Sequence, residues 1–454
     1  MNPDSLLIPT EVVSWVEQIV GCPIKSVARV TGGLSRKAYS IELTCANQLG
    51  SMSAFLMLQG PIDNGGNRRD SQVLMLLESE RVMTPRVIAY NRELEALLME
   101  KLEGQAQFSM VVDASTRRLV SEDLMLNLAR LHAVMPDRDI AGDQAAPASA
   151  REAAVNILQP IIDSCRANPA LVDPFCEFCL AWLWNNLPSC DAELGLVHGD
   201  IGPGNFLFQN GKVTGIVDWE LAHIGDPMED LARLYIRSMS VPMGNLATMM
   251  EVYQAFSGTI VDRNRIAYYI VLTLLKSIML IRQALHGSAD TVEAPQKYMY
   301  EAFLMRAAVD VLLSVNDVQP PPEVEPEPAV APDSEKLIAC DMLIYEIRKH
   351  LQPGVKDSWA SERLDWALRL AEFLKRSESL GPGFKAQELR DLESLAPRPF
   401  ENLEQAQEHV LELIREWQAE DLPQLLVYFS RQVNRICCLR KDLLGNLFNN
   451  RIQF

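Results

Sequence analysis

Apolar and polar residues alternate in short runs near the start of the chain and give way to helical spacing further on. Val27–Val30, Ala38–Thr44 and Ala54–Leu58 are short β-like runs that read as consecutive strands, and Gly32-Gly33 punctuates the first turn. The stretch before them, MNPDSLLIPTEVVSWVEQIVG, carries acids ahead of its apolar positions, so a first helix is expected there rather than a secretory signal. A helix over about 70–78 follows, then strands at Val87–Tyr90 and Leu97–Glu100, ending at the Glu103-Gly104 break. From Glu122 helices prevail, except around 195–217. Ala267–Ile281 is the most apolar long stretch, but it is short for a bilayer and contains Lys276, so a buried or amphipathic helix and no membrane span are expected.

Gln319–Pro332 reads QPPPEVEPEPAVAP, in which six of fourteen residues are proline and three are glutamate. Proline removes backbone donors and like charge opposes collapse, so an extended spacer is expected. Beyond it, Leu337, Ile338, Met342, Tyr345 and Ile347, then Leu364, Trp366, Leu368 and Leu370, fit helical spacing. Four or five helices are expected, broken at Gln352-Pro353-Gly354 and at Leu380-Gly381-Pro382-Gly383. The expected division is 1–104 as a β-rich lobe, 105–318 as a helical lobe, 319–333 as linker and 334–454 as a helical domain, an α+β chain with an all-α addition.

A length of 454 residues also argues for more than one core, and 48% apolar with 22% charged residues is ordinary globular usage. The formal charge of −18 repels phosphate backbones and anionic lipid, which disfavours a nucleic-acid or membrane-surface role and leaves room only for local basic sites. Nine scattered cysteines form no disulfide framework, so a reducing cytoplasm is expected. Cys176 and Cys179 have CxxC spacing, but no second pair exists and FCEFCLAWLW has the texture of a buried helix, so neither zinc nor redox chemistry is expected.

The chemistry concentrates in GLVHGDIGPGNFLFQNGKVTGIVDWELAHIGDPMEDL, residues 195–231. An apolar run leads into His198-Gly199-Asp200, Asn205 follows at the head of a second run, and Asn210-Gly211 signals a two-residue hairpin whose return strand delivers Asp218. Two carboxylates and an amide oxygen brought together this way suit a hard divalent cation and phosphates. That implies phosphoryl transfer, with Asp200 taking the acceptor's proton and Asn205 and Asp218 holding Mg²⁺ against ATP. His198 is expected to bond backbone, and Asp226, before Pro227, to cap a helix.

HGDIGPGN followed by IVDWELAHIGDPMEDLA resembles the catalytic core of the aminoglycoside phosphotransferase family, kinase-like enzymes. Within it, the chain is similar to phosphotransferases fused to, or encoded beside, acyl-CoA dehydrogenases. The likeness covers roughly residues 25–315 and implies a two-lobed protein-kinase-like fold. It places the phosphate-covering loop at Gly32, Gly33 and Ser35, and the adenine-binding hinge at Glu100 to Leu102. Leu128–His132 resembles the family's LAxLH signature, and the last segment resembles a small bacterial helical domain found near such enzymes.

One departure stands out. The third-strand lysine or arginine and its helix glutamate are absent; Gln59 takes the cation's place, Asp70 is a shorter acid, and Arg68 or Arg69 is the expected substitute. The resemblance implies an ATP-dependent kinase acting on a small-molecule hydroxyl, with a hydroxyacyl-CoA as favoured acceptor. The alternatives are an antibiotic kinase and a catalytically weak nucleotide-binding regulator. A homo-oligomer or an acyl-CoA-metabolising enzyme is the expected partner of the last domain.

Overall fold

The computed structural model describes residues 7–30, 36–44, 52–60, 66–135, 146–287, 294–322, 334–396 and 399–454. Gly32, Gly33 and Ser35, and most of the proline-rich spacer, lie outside these residues. The chain forms two compact units, one of residues 1–154 with 188–262 and the other of 155–187 with 263–454.

In the first unit, α1 (Thr10–Val20) precedes β1 (Ile24–Val30), β2 (Arg36–Leu43) and β3 (Met52–Gln59). Next come α2 (Gly66–Leu77), β4 (Val87–Asn91) and β5 (Ala96–Glu100). The strands make one antiparallel sheet in the order β1-β2-β3-β5-β4. Alternation puts Tyr39, Ile41, Leu43, Ala54, Leu56 and Leu58 on one face, where they bury against Val12 and Val16 of α1. Arg36 sits opposite Gln59 in the β2–β3 register.

The same unit continues with α3 (Ala114–His132), β6 (Gly195–Val197), β7 (Phe206–Gln209), β8 (Lys212–Ile216), β9 (His223–Gly225), α6 (Met228–Ser238) and α7 (Leu246–Ser257). β6 pairs with β9, and β7 with β8. Asn210 and Gly211 both take positive φ, 52° and 78°, as the tight β7–β8 hairpin demands. Gln105 bridges to Phe208 in both directions, at 3.0 and 3.1 Å, tying the segment after β5 to β7.

The second unit is helical. α4 (Ala150–Ala167) runs into it, followed by α5 (Pro174–Asn185), α8 (Arg263–Gly287), α9 (Ala294–Val315), α10 (Glu335–Glu346), α11 (Ser358–Leu395), α12 (Leu403–Glu416), α13 (Leu422–Leu439) and α14 (Lys441–Leu444). By length and composition α8 is apolar enough to cross a membrane, and 67% of that stretch is buried inside the protein. The buried Arg282 of α8 joins Glu301 of α9 at 2.6 Å and Asp173, the N-cap of α5, at 2.8 Å.

Two expectations change here. The packing does not divide at the spacer. Phe178 of α5 stacks on Phe429 of α13 at 4.7 Å, and Arg306 of α9 donates to the carbonyl oxygens of Leu447 and Phe448. Proline stops local pairing along the chain, but apolar faces on either side of it still meet. Nor does α11 break at Gly381-Pro382-Gly383. Leu380 and Phe384, 6% and 4% exposed, anchor both sides of the proline, and their burial outweighs the lost backbone bond.

Cys22 is disulfide-bonded. Cys176 and Cys179 are free and buried, and burial pushes both thiols up, away from thiolate chemistry.

Candidate active site

The loop between β6 and β7 is held from beneath by Asp230 of α6. Its Oδ2 accepts from the His198 amide at 2.8 Å and its Oδ1 from the Gly199 amide at 2.9 Å, while His132 of α3 bonds Oδ2 at 3.0 Å. Burial opposes the Asp230 charge, but these bonds outweigh it and hold the carboxyl below its ordinary range. Asp230 therefore braces the loop, whereas Asp226 caps α6 by accepting from the Met228 amide at 2.9 Å. The signature histidine of α3, His132, acts through Asp230.

His198 is fully buried. Burial lowers its pKa, and the neutral ring donates from Nε2 to the Val217 carbonyl at 3.0 Å and accepts at Nδ1 from the Asp200 amide at 3.2 Å. It fixes backbone, as expected. Gly199 at φ 84° is required, since a Cβ there would meet the Leu221 carbonyl oxygen at 2.6 Å.

Asn205 turns its Nδ2 onto Asp200, bonding the carbonyl at 2.7 Å and Oδ2 at 3.0 Å. Its own carbonyl accepts from the Val217 amide at 3.0 Å, which sets Asn205 beside Asp218. Asp218 has φ 71°, a left-handed backbone that an L-residue adopts at a cost of about 1–3 kcal/mol and that redirects its side chain as the chain leaves β8. The structure thus brings Asp200, Asn205 and Asp218 together. Leu102 packs against Gly215 of β8, where a Cβ would come within 2.0 Å of its Cδ1, and Glu100 ends β5 exposed.

The cation missing from β3 comes from β2. Arg36, 7% exposed, donates to Asp70 at 2.8 Å and to Asp218 at 2.6 Å, and its Nε lies 3.4 Å from Glu220. Burial works against its charge, but the three carboxylates outweigh that and raise its pKa. Burial likewise pushes Asp70 up to about 6 against the pull of Arg36. Arg69, expected as the substitute, instead donates to the Glu220 carbonyl at 3.1 Å. Asp70 fills the role of the helix acid, so the shorter acid suffices for a cation approaching from β2.

Sequence reasoning also passed over two arginines of α6. Arg237 donates to Asp200 Oδ2 at 2.6 Å and Arg233 lies 3.8 Å from Oδ1. The Arg237 stem packs on Gly202, where a Cβ would sit 2.6 Å from its Cγ. Their signal was helical spacing, i and i+4, on the helix that follows the aspartate motif.

Among the described residues no three His, Cys, Asp or Glu side chains gather as a metal site. The donor set nonetheless fits Mg²⁺. Among the described residues the side-chain hydrogen bonds of Asn205 use Nδ2, leaving Oδ1 as a ligand oxygen, and three carboxylates face the guanidinium of Arg36. Such a set supplies one or two ligands and leaves the rest of the shell to water and phosphate.

Residues 65–269 match the phosphotransferase enzyme family. The matched stretch includes the whole Asp200–Asn205–Asp218 constellation. Acyl-CoA dehydrogenase family member 11 of Pongo abelii is 40% identical over 75 residues, 15% of this chain and 10% of the relative. Its Mus musculus namesake is 42% identical over 69 residues, 14% and 9% respectively. The chain therefore spans about a tenth of the length of the curated relatives it matches. Among solved structures, a Ralstonia eutropha protein named for the aminoglycoside phosphotransferases aligns with a TM-score of 0.51 at 18% identity, over 64% of this chain and 93% of that one. This likeness shows a kinase-like fold.

His223 offers a pH test of the loop that follows Asp218. Burial opposes its charge, but Glu229 at 3.1 Å outweighs it and holds the pKa up to about 9. A raised imidazole pKa contributes stability that is complete below about 6.5 and lost as pH rises through 9. The urea midpoint of the wild type should fall across that window, and the fall should vanish in Glu229→Gln.

Proposed function

We propose that the protein is an ATP-dependent, Mg²⁺-requiring phosphotransferase that phosphorylates a hydroxyl of a small molecule, with a hydroxyacyl-CoA thioester as favoured acceptor. The observation that carries this reading is the juxtaposition of Asp200, Asn205 and Asp218 with the buried Arg36–Asp70 pair. Asp200, steadied by Asn205 and Arg237, accepts the proton of the acceptor hydroxyl. Asn205 Oδ1 and Asp218 would hold Mg²⁺, which when bound offsets phosphate charge. Arg36 would contact phosphate from the side of the sheet, with Asp70 keeping it charged and aimed.

The α6 arginines bear on the acceptor. Two guanidinium groups beside Asp200 favour an anion and repel a polycationic aminoglycoside. A coenzyme A thioester is such an anion, and the relatives named as acyl-CoA dehydrogenases support the same chemistry. The test is ADP release from Mg–ATP in the presence of 3-hydroxyacyl-CoA thioesters, aminoglycosides or macrolides. Release with the thioesters is expected; a response confined to the drugs would make the protein an antibiotic kinase.

A further inference from the structure

Among the described residues the helical unit supplies no catalytic constellation, yet it holds a cavity of about 670 Å³ between α9, α11, α13 and the C-terminal segment. Six cations line it, Arg306, Arg390, Arg431, Arg435, Lys441 and Arg451, against the single acid Asp391. In a chain of charge −18, that is a local reversal of sign.

Asp391 is already shared. Its Oδ1 accepts from Arg431 at 2.8 Å and its Oδ2 from Arg435 at 2.5 Å. Arg435 is 7% exposed, and among the described residues its Nε and Nη2 have no hydrogen-bond partner. A buried guanidinium with two idle N–H groups is costly unless something accepts from them. Lys441 and Arg390 reach the same space from the exposed rim. Phe384 and Phe448 line the cavity as well, and the Lys441 ammonium lies 5.1 Å from the Phe448 ring centroid.

We propose that this cavity binds a small ligand carrying two or more phosphate groups. Arg435 lines the cavity with a planar guanidinium of the kind suited to phosphate oxygens, its unpartnered nitrogens lying just beneath the cavity surface, and Lys441 adds a mobile charge. The volume falls within the roughly 300–1,000 Å³ of small-molecule sites. This site belongs to the helical unit and is independent of the phosphotransfer chemistry proposed above.

Calorimetric titration of inorganic pyrophosphate into the full-length chain, without Mg²⁺, tests it. Saturable binding is expected, weakened at least tenfold by Arg435→Gln and, should that variant fold poorly, by Lys441→Glu at the exposed rim. Arg36→Gln, in the other unit, should leave it unchanged. In the Arg36→Gln background, tighter binding of ADP than of pyrophosphate identifies a nucleotide as the ligand, and equal binding identifies a free polyphosphate; either supports the site. Absence of binding at millimolar pyrophosphate, or binding indifferent to both Arg435→Gln and Lys441→Glu, overturns it.

Discussion

Asp200→Asn should lower kcat by roughly 100- to 10,000-fold, the usual contribution of a positioned general base, while leaving the KM for ATP nearly unchanged. The substitution keeps shape and removes proton affinity. Asn205 Nδ2 at 3.0 Å and Arg237 at 2.6 Å fix the carboxylate from two sides, so its orientation needs no substrate. In the proposed mechanism nucleotide contacts fall to Arg36, Asn205 and Asp218, so binding should survive. ADP release under saturating acceptor measures the effect, and a variant retaining more than about a third of wild-type kcat would remove Asp200 from proton transfer.

Arg36→Gln carries the second large effect. It strands Asp70, Asp218 and Glu220 without their shared cation, and breaking such a buried pair costs about 3–5 kcal/mol. Asp70, already held up to about 6 by burial, would lose the one charge that pulls it down and would take up a proton near neutrality. Lower thermal stability and a raised KM for ATP are expected together. The register supplies a rescue. Residues directly opposite on antiparallel strands share a face with Cβ atoms roughly 5 Å apart, and Arg36 faces Gln59, whose Oε1 is buried without a partner among the described residues. Gln59→Arg in the Arg36→Gln background should restore much of the lost affinity. Failure of the double variant to exceed Arg36→Gln in ATP binding would show that the cation's place is not interchangeable between the strands.

This exchange shows what a sequence conceals. Strand alternation, the Asn210-Gly211 hairpin and the order Asp200, Asn205, Asp218 are local patterns, and they were legible because the chain carries them within a few residues of one another. The position of Arg36 was not. It depends on cross-strand register, which sets two side chains far apart in sequence on one face, so reading β3 alone makes the charge look absent. The part played by Asp230 was not legible either; only the loop folded over it shows that its oxygens serve His198 and Gly199. Pro382 and the proline-rich spacer misled in the opposite direction. Local chemistry favoured breaks, and burial of Leu380, Phe384 and Phe429 overrode them.

In the proposed mechanism Asn205 and Asp218 present oxygens to a Mg²⁺-bound nucleotide. Titration of ATP into the wild type and into Asp218→Asn, each with and without Mg²⁺, measures this directly. The structure predicts that Mg²⁺ tightens ATP binding to the wild type at least tenfold and does little for Asp218→Asn. Equal strengthening in both proteins, or none in the wild type, would contradict it.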